Sequence, residues 1–299
     1  MTCAPVNPAD VMSISGTYLQ RPTLPFVPGI VGVGEVVGHR AGLLGAMLKG
    51  RRVVMSARSG RDGTWAEYAV TSAALCVPLT KGLHDEDAVN LIANGVTAIG
   101  LVEILRQGGH KAFVLTAAGG DLGRMVNTVA RSHGLTVVNV VRSASQFAVL
   151  RELGALHIVD AADTDFQRRL EQLVKQTRAT AALDAIAGDM TRNLMTALPR
   201  RSTVYVVGRL SGQPLCFDGL AFLIGKQLTL KGFDITSWLF SQSLPRRLQI
   251  ANRARKLIDD GHRTRVQHRA TLEDGARNLA ALIQHTTGGK TLLYPELRP

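Results

Sequence analysis

Residues 117–123 read Ala-Ala-Gly-Gly-Asp-Leu-Gly, with a β-branched run before them and a helix-forming run after. A strand-to-helix turn of this composition suits an anion, because glycines let the backbone approach closely and the helix N-terminus presents amide donors. Gly120 is placed for the approach of a pyrophosphate, Leu122 for a first-turn amide, and Gly123 for close packing of the helix on the strand. Ala118 stands where the usual pattern has its first glycine. Such glycines also serve ordinary turns. Asp121 brings a like charge into the turn; it either caps the helix or is offset by Arg124.

The next β-branched run ends in Asn139-Val140-Val141-Arg142. A site for NAD sets a carboxylate there against the ribose 2′-hydroxyl. Here the position holds a guanidinium, whose rigid fork of donors matches a 2′-phosphate. NADPH is therefore the expected cofactor, the alternative being a surface arginine at a strand end.

These residues need a scaffold. From about residue 111, predicted strands (112–118, 136–141, 157–160, 181–186, 203–208 and 227–233) alternate with predicted helices (122–132, 145–153, 164–177 and 189–198). Gly134 and Gly154 are placed as helix C-terminal caps. Six strands with helical crossovers imply an α/β fold with a doubly wound parallel sheet. Residues 1–92 differ: Pro22, Pro25 and Pro28, glycine-rich turns and short alternating runs at 32–38, 51–57 and 65–70 predict a β-rich, barrel-like unit. After Ser241, helical stretches at 246–259 and 273–284 precede a strand at 290–294 that returns to the first unit.

Composition agrees. A chain of 299 residues, 45% hydrophobic but only 5% aromatic, suits parallel strands covered by helices better than an aromatic-rich sandwich. The net charge of +12 favours anionic ligands. Its basic clusters lack interleaved aromatics or a nucleic-acid motif, so no nucleic-acid partner is expected and most of them are read as solvated faces. Residues 1–10 show no signal or transit pattern, and no segment is read as long enough to span a membrane, so no membrane partner is expected. Cys3, Cys76 and Cys216 are far apart and odd in number, which argues against a disulfide framework and for a reducing cytoplasm.

Several landmarks then carry a resemblance: NPAD (7–10), SGTY (15–18), RPTLPFVPGIVGVGEVVG (21–38), GTWAEYAV (63–70), NGVTAIG (94–100), TAAGGDLGRM (116–125), LRELGALHIVD (150–160), YVVGRLSG (205–212) and GKTLLYPEL (289–297). With them the chain resembles the medium-chain dehydrogenase/reductase superfamily, in its zinc-free branch of 2-enoyl thioester reductases and quinone oxidoreductases. The resemblance implies a GroES-like catalytic domain built from residues 1–92 and 242–299 around a Rossmann domain at 93–241, and a homodimer formed by edge pairing of Rossmann sheets. It also implies further strands ahead of the Asn-Pro motif, near which this chain starts, so an open sheet edge and a less enclosed substrate cleft are expected. The stretch AGLLGAMLKG (41–50) lacks the acidic, polar turn usual at this place.

Zinc dehydrogenases of the superfamily carry a cysteine where this chain has Asn7 to Asp10, and a His-Glu pair near Ile30 and Val31. Neither stands here, so no metal is expected and alcohol oxidation is disfavoured. His84, His110 and His133 are read as surface residues. The resemblance makes Tyr18 and Asn7 the candidate catalytic residues. A phenol hydrogen-bonds an oxygen that gains negative charge or delivers a proton to carbon, and Asn7 orients substrate or water. A cleft-wall aromatic and an Asn-Pro turn are the plainer alternatives. Thr97, Gly208 and Leu210 are implied near the nicotinamide and its ribose, Lys290 near phosphate, and Trp238 in an acyl pocket. Their alternatives are a local helix bond for Thr97, loop chemistry for Gly208, a solvated Lys290 and a Trp238 buried at a domain seam.

The leading expectation is NADPH-dependent reduction of an activated carbon–carbon double bond in an enoyl thioester or an enone. Quinone reduction is the second reading, a nucleotide-binding paralogue without turnover the third.

Overall fold

The computed structural model describes residues 1–18, 21–58, 60–143, 145–284 and 289–296. In chain order the first part holds β1 (Ala4–Pro5), α1 (Pro8–Ile14), β2 (Val31–Glu35), α2 (Gly42–Leu48), β3 (Arg52–Ser56), β4 (Cys76–Pro78) and α3 (Asp85–Ala88). The middle holds α4 (Thr97–Gln107), β5 (Ala112–Leu115), α5 (Asp121–Ser132), β6 (Thr136–Val141), α6 (Ser145–Glu152), β7 (His157–Asp160), α7 (Phe166–Thr177), β8 (Ala181–Asp184), α8 (Asp189–Ala197), β9 (Thr203–Val206), β10 (Thr229–Gly232) and α9 (Ile235–Phe240). The chain then continues through α10 (Leu244–Asp259), β11 (Val266–Thr271), α11 (Leu272–Gln284) and β12 (Lys290–Tyr294).

Two compact units result: Met1–Val96 with Gln249–Pro299, and Thr97–Leu248. Both boundaries fall inside helical stretches, where the sequence pattern gives no break, and so differ from the expected 92/93 and 241/242.

The middle unit is a six-stranded parallel sheet in the order β10-β9-β8-β5-β6-β7. Order reverses between β5 and β8, the place where open α/β sheets bind ligands beyond their strand C-termini. Val114, Val138, Val140, Ala182 and Val204 cluster with Leu170 and Val174 of α7, Leu194 and Met195 of α8 and Leu198 just after it, and all are buried. Each such aliphatic side chain contributes about 1.5–3 kcal/mol relative to exposure. On the opposite face of the sheet Asn127 of α5 donates to Asn139 of β6 across 2.7 Å, satisfying a buried amide.

The unit made from both chain parts contains two three-stranded sheets, β1-β12-β11 and β2-β3-β4, with a bridge between Cys3 and Val33. Pairing of Ala4 with Leu293 ties the first strand to the last. Tyr294 donates its hydroxyl to Glu86, which also takes both arms of Arg269 at 2.7 Å. These bonds hold the Glu86 carboxyl below its ordinary range, the Arg269 bond contributing most.

Several expectations need correction. Residues 65–70 alternate like a strand yet form bends, because no neighbouring strand pairs with them. The Asn-Pro turn, the plainer alternative for Asn7, is instead the start of α1, with proline at the first helical position, where its missing N–H costs nothing. The helical stretch Asp85–Gln107 has 23 residues and is long and apolar enough to cross a membrane by length and composition, contrary to the sequence reading. Its most apolar window is 72% buried inside the protein, as in a core helix. His110 is half-buried rather than a surface residue; its ring bonds the Thr180 hydroxyl at 2.9 Å, and burial lowers its pKa.

Candidate functional site

In the middle unit the strands run parallel, so the loops after their C-termini share one edge of the sheet. Ala117 to Gly120 follow β5, Arg142 follows β6, residues 185–188 follow β8, and Gly208 to Leu210 follow β9. Gly120 is the N-cap of α5. A side chain built on Gly120 would meet only the Ala117 carbonyl, at 3.4 Å, whereas one on Gly123 would strike Ala118 and Ala117 atoms at 2.5–2.7 Å. Gly120 thus leaves open space beside the first turn, and Gly123 sits against the backbone of the turn itself, at Ala117 and Ala118. First-turn amides of a helix, here those of Leu122 and Gly123, have no acceptor within the helix. Room and amide donors together fit a pyrophosphate.

The left-handed residue of this turn is Ala117, at φ 50°. Ala118, in the position of the usual first glycine, is fully buried and donates its amide to the Val140 carbonyl at 3.2 Å. Asp121 is paired with Arg124, one turn along α5, and both side chains are largely buried. The carboxylate that repels phosphate therefore carries its own counter-charge.

Arg142 is exposed just past the end of β6 and makes no ion pair among the described residues. Two positioning residues escaped the sequence reading. Gln146 of α6 lies against Gly119, where an added Cβ would come within 2.8 Å of its side chain, and accepts from the Arg142 amide at 3.5 Å. It thereby links the glycine turn to the arginine. Asp184, wholly buried at the end of β8, accepts from the amides of Ile186 (2.9 Å) and Ala187 (3.1 Å) and from the hydroxyls of Thr191 and Thr116. Thr116 in turn accepts from the Ala185 amide at 2.8 Å. One carboxylate thus shapes the loops after β5 and β8. The Leu210 amide bonds the Ala185 carbonyl at 3.0 Å, placing Gly208 to Leu210 beside the same loop.

Thr97 begins α4 and is buried. Trp238 of α9 stacks with Phe233 at 6.2 Å between centroids and packs on α4, where a Cβ on Gly100 would meet it at 3.0 Å. This contact packs one side of Trp238 within the middle unit and leaves the residue half-buried.

The other unit brings Asn7, Asp10 and Lys290 together. Lys290 Nζ donates to Asn7 Oδ1 at 2.8 Å across 283 positions of sequence, so the structure engages it with Asn7. Asp10 accepts from the backbone amides of Asn7 (2.7 Å) and Ile30 (2.6 Å). Tyr18 follows α1, half-buried, with its amide on the Met12 carbonyl at 3.0 Å. Among the described residues no three His, Cys, Asp or Glu side chains gather to hold a metal ion. Of the quoted landmarks, Leu297 lies outside the described residues.

Burial pushes the Asp10 carboxyl up to about 6 from 3.8, against the pull of the two amides and Lys290. A folded pKa above the unfolded one makes the ionised form a cost near neutrality, about 3 kcal/mol for this shift. That cost is relieved as pH falls through the folded value towards the unfolded one. Between about pH 7 and about pH 4, the unfolding free energy of the wild type is expected to gain about 2 kcal/mol over that of Asp10→Asn, the remainder following below about pH 4. Parallel urea titrations across this window check it, and curves of equal slope would remove Asp10 as the cause.

Comparison with known proteins agrees with this architecture. Residues 1–81 match the alcohol dehydrogenase GroES-like domain, and residues 122–252 match the family described as zinc-binding dehydrogenase. The chain is 32% identical over 270 residues to the mitochondrial enoyl-[acyl-carrier-protein] reductase of Xenopus tropicalis, covering 87% of this chain and 74% of that protein. To the human enzyme of the same name it is 29% identical over 245 residues, 80% of this chain and 64% of that one. The chain thus spans slightly less than two thirds of the human relative. A solved structure from Mesorhizobium loti, assigned as an NADPH:quinone reductase, superposes with a TM-score of 0.90 at 30% identity, covering 98% of this chain and 85% of the other. The sheet order, the glycine turn and these similarities together place the chain in the medium-chain dehydrogenase/reductase superfamily of oxidoreductases, in its branch of enoyl reductases and quinone oxidoreductases.

Proposed function

We propose that this protein is a zinc-independent, NADPH-dependent reductase of activated carbon–carbon double bonds, acting on an enoyl thioester or an enone. The observation that carries the cofactor is the open space at Gly120 beside the α5 amides, with the Arg142 guanidinium past the end of the next strand. Ala118, Leu122 and Gly123 complete the pyrophosphate turn, and Thr97, Gly208 and Leu210 serve the nicotinamide side. Bound there, the cofactor supplies a hydride for the β-carbon of the acceptor. The protein's own part is to hold the acceptor's oxygen and provide a proton, the role assigned to Tyr18. Asn7, its amide oxygen fixed by Lys290, is assigned to orient substrate or water. The name of the Xenopus relative supports the enoyl acceptor. Zinc independence is supported by the residue types at 7–10 and 30–31, which offer no thiolate or imidazole.

Quinone reduction is the second reading, favoured by the name of the Mesorhizobium relative. A flat quinone needs no positioned acid, so Tyr18→Phe separates the two. NADPH oxidation with a crotonyl thioester is expected to fall about 100-fold in kcat, in the range of general acid catalysis, while KM for NADPH and any quinone turnover stay unchanged. Quinone-only turnover in the wild type would replace the first reading with the second. NADPH binding without turnover of either would leave a nucleotide-binding paralogue.

A homodimer belongs to the same reading. Its support is that β10 ends the six-stranded order as an exposed edge, with Leu220, Leu223 and Ile224 exposed just before it in sequence. A cytoplasmic setting is supported by three cysteines that are all free.

A further inference from the structure

The connection between β2 and β3 has no part in the proposed reduction, yet its composition is unusual. From residue 36 to residue 51 there is no Asp or Glu, while Arg40, Lys49 and Arg51 are basic; the run without acids continues through β3 and on to Arg61, with Arg52, Arg58 and Arg61. Arg52 is engaged by Asp85. At the far end of the connection stands α2, whose sequence alternates two faces. Gly45 and Leu48, one turn apart, are buried, with Gly45 against the His39 ring. Leu43 (81% exposed) and Met47 (63%) point away from this face, Leu44 (47%) stands at its margin, and Val37 joins them at 68%.

Backbone bonds close the base of this projection. Val36 and Arg51 close the base through a bond of 3.1 Å, Gly50 donates to the Val36 carbonyl at 2.9 Å, and Lys49 donates to Gly45 at 3.0 Å. Residues 37–44 are exposed without interruption, so the apolar side chains stand on a projection rather than line a groove. Arg40, Lys49 and Arg51 flank it, all exposed. A second copy of the chain is a poor occupant, because a two-fold contact would set these cations against their own copies. An acidic protein would need a groove to receive four projecting side chains. A lipid surface needs none: the side chains sink among the acyl chains while the cations stay at the headgroups.

We propose that α2 with Val37 is a shallow anchor for an anionic membrane surface, with Val37, Leu43, Leu44 and Met47 inserted and Arg40, Lys49 and Arg51 at the phosphates. This revises the expectation of a chain without a membrane partner, and it stands independently of the reaction. The test is co-sedimentation of the full chain with phosphatidylcholine–phosphatidylglycerol vesicles and with phosphatidylcholine vesicles alone. Binding is expected to the anionic vesicles only and to weaken as salt is raised. Leu43→Asp/Met47→Asp is expected to reduce the bound fraction about tenfold with thermal melting unchanged. Arg40→Gln/Lys49→Gln, which keeps the apolar face, is expected to weaken binding to anionic vesicles by a similar factor. Three results overturn the proposal: no binding by the wild type, equal binding by the Asp variant, or capture by an acidic carrier domain through these residues without vesicle binding. Equal binding would mean simple adsorption of a +12 protein.

Discussion

Asp184→Ala is expected to lower the unfolding free energy by about 3–5 kcal/mol, the range for a buried network broken at its hub. The substitution removes the acceptor of two backbone amides and two hydroxyls in a position with no solvent access. Each donor left unpaired costs about 1–3 kcal/mol, and the loop cannot simply relax. Ala187 and Gly188 both hold positive φ, at 63° and 60°, a conformation that the carboxylate keeps in place. Asp184→Asn keeps one acceptor oxygen and is expected to cost roughly half as much. Urea denaturation of the three proteins measures this, and a loss below about 1 kcal/mol for the alanine variant would show that water replaces the carboxylate. Because Asp184 also fixes the loop that receives the Leu210 amide, NADPH binding should weaken in the same variant even where it remains folded.

The second large effect concerns cofactor choice. Arg142→Ala is expected to reduce the preference for NADPH over NADH about 10- to 100-fold, with NADH affinity nearly unchanged. That factor corresponds to about 1.5–3 kcal/mol, the worth of hydrogen bonds to a charged group. Arg142→Lys should recover only part of it, since a point charge lacks the two-pronged fork. Titration of each variant with both cofactors is the measurement. An unchanged ratio would return Arg142 to the status of a surface residue and leave the 2′-phosphate to another group.

The six strands of the middle unit were legible because buried parallel strands are nearly continuous β-branched runs, as in TVVNVV and HIVD. Periodicity misled where burial did not follow it. WAEYAV alternates as a strand should, yet Tyr68 and Val70 are exposed and unpaired with any strand. In VQHRAT the reverse holds: charged and polar residues hide β11, which exists because it pairs with β12. The glycine turn could be read because its chemistry is local. Asp184 and the Asn7–Lys290 bond could not, because one is a single residue without a spacing rule and the other joins opposite ends of the sequence. The ion pair of Asp121 with Arg124 lay between these cases, since a separation of three residues on a helix already makes it reachable.

The pairing of β1 with β12 carries a consequence for biosynthesis. The parallel sheet uses residues 112–232, all made before β12, whereas the sheet that brings Lys290 to Asn7 waits for residues 290–294. During synthesis the nucleotide-binding half can mature on the ribosome, and β2, β3 and β4 can pair with one another, while β1 still lacks its partner, an interval in which chaperone occupancy should be concentrated on the first residues of the chain.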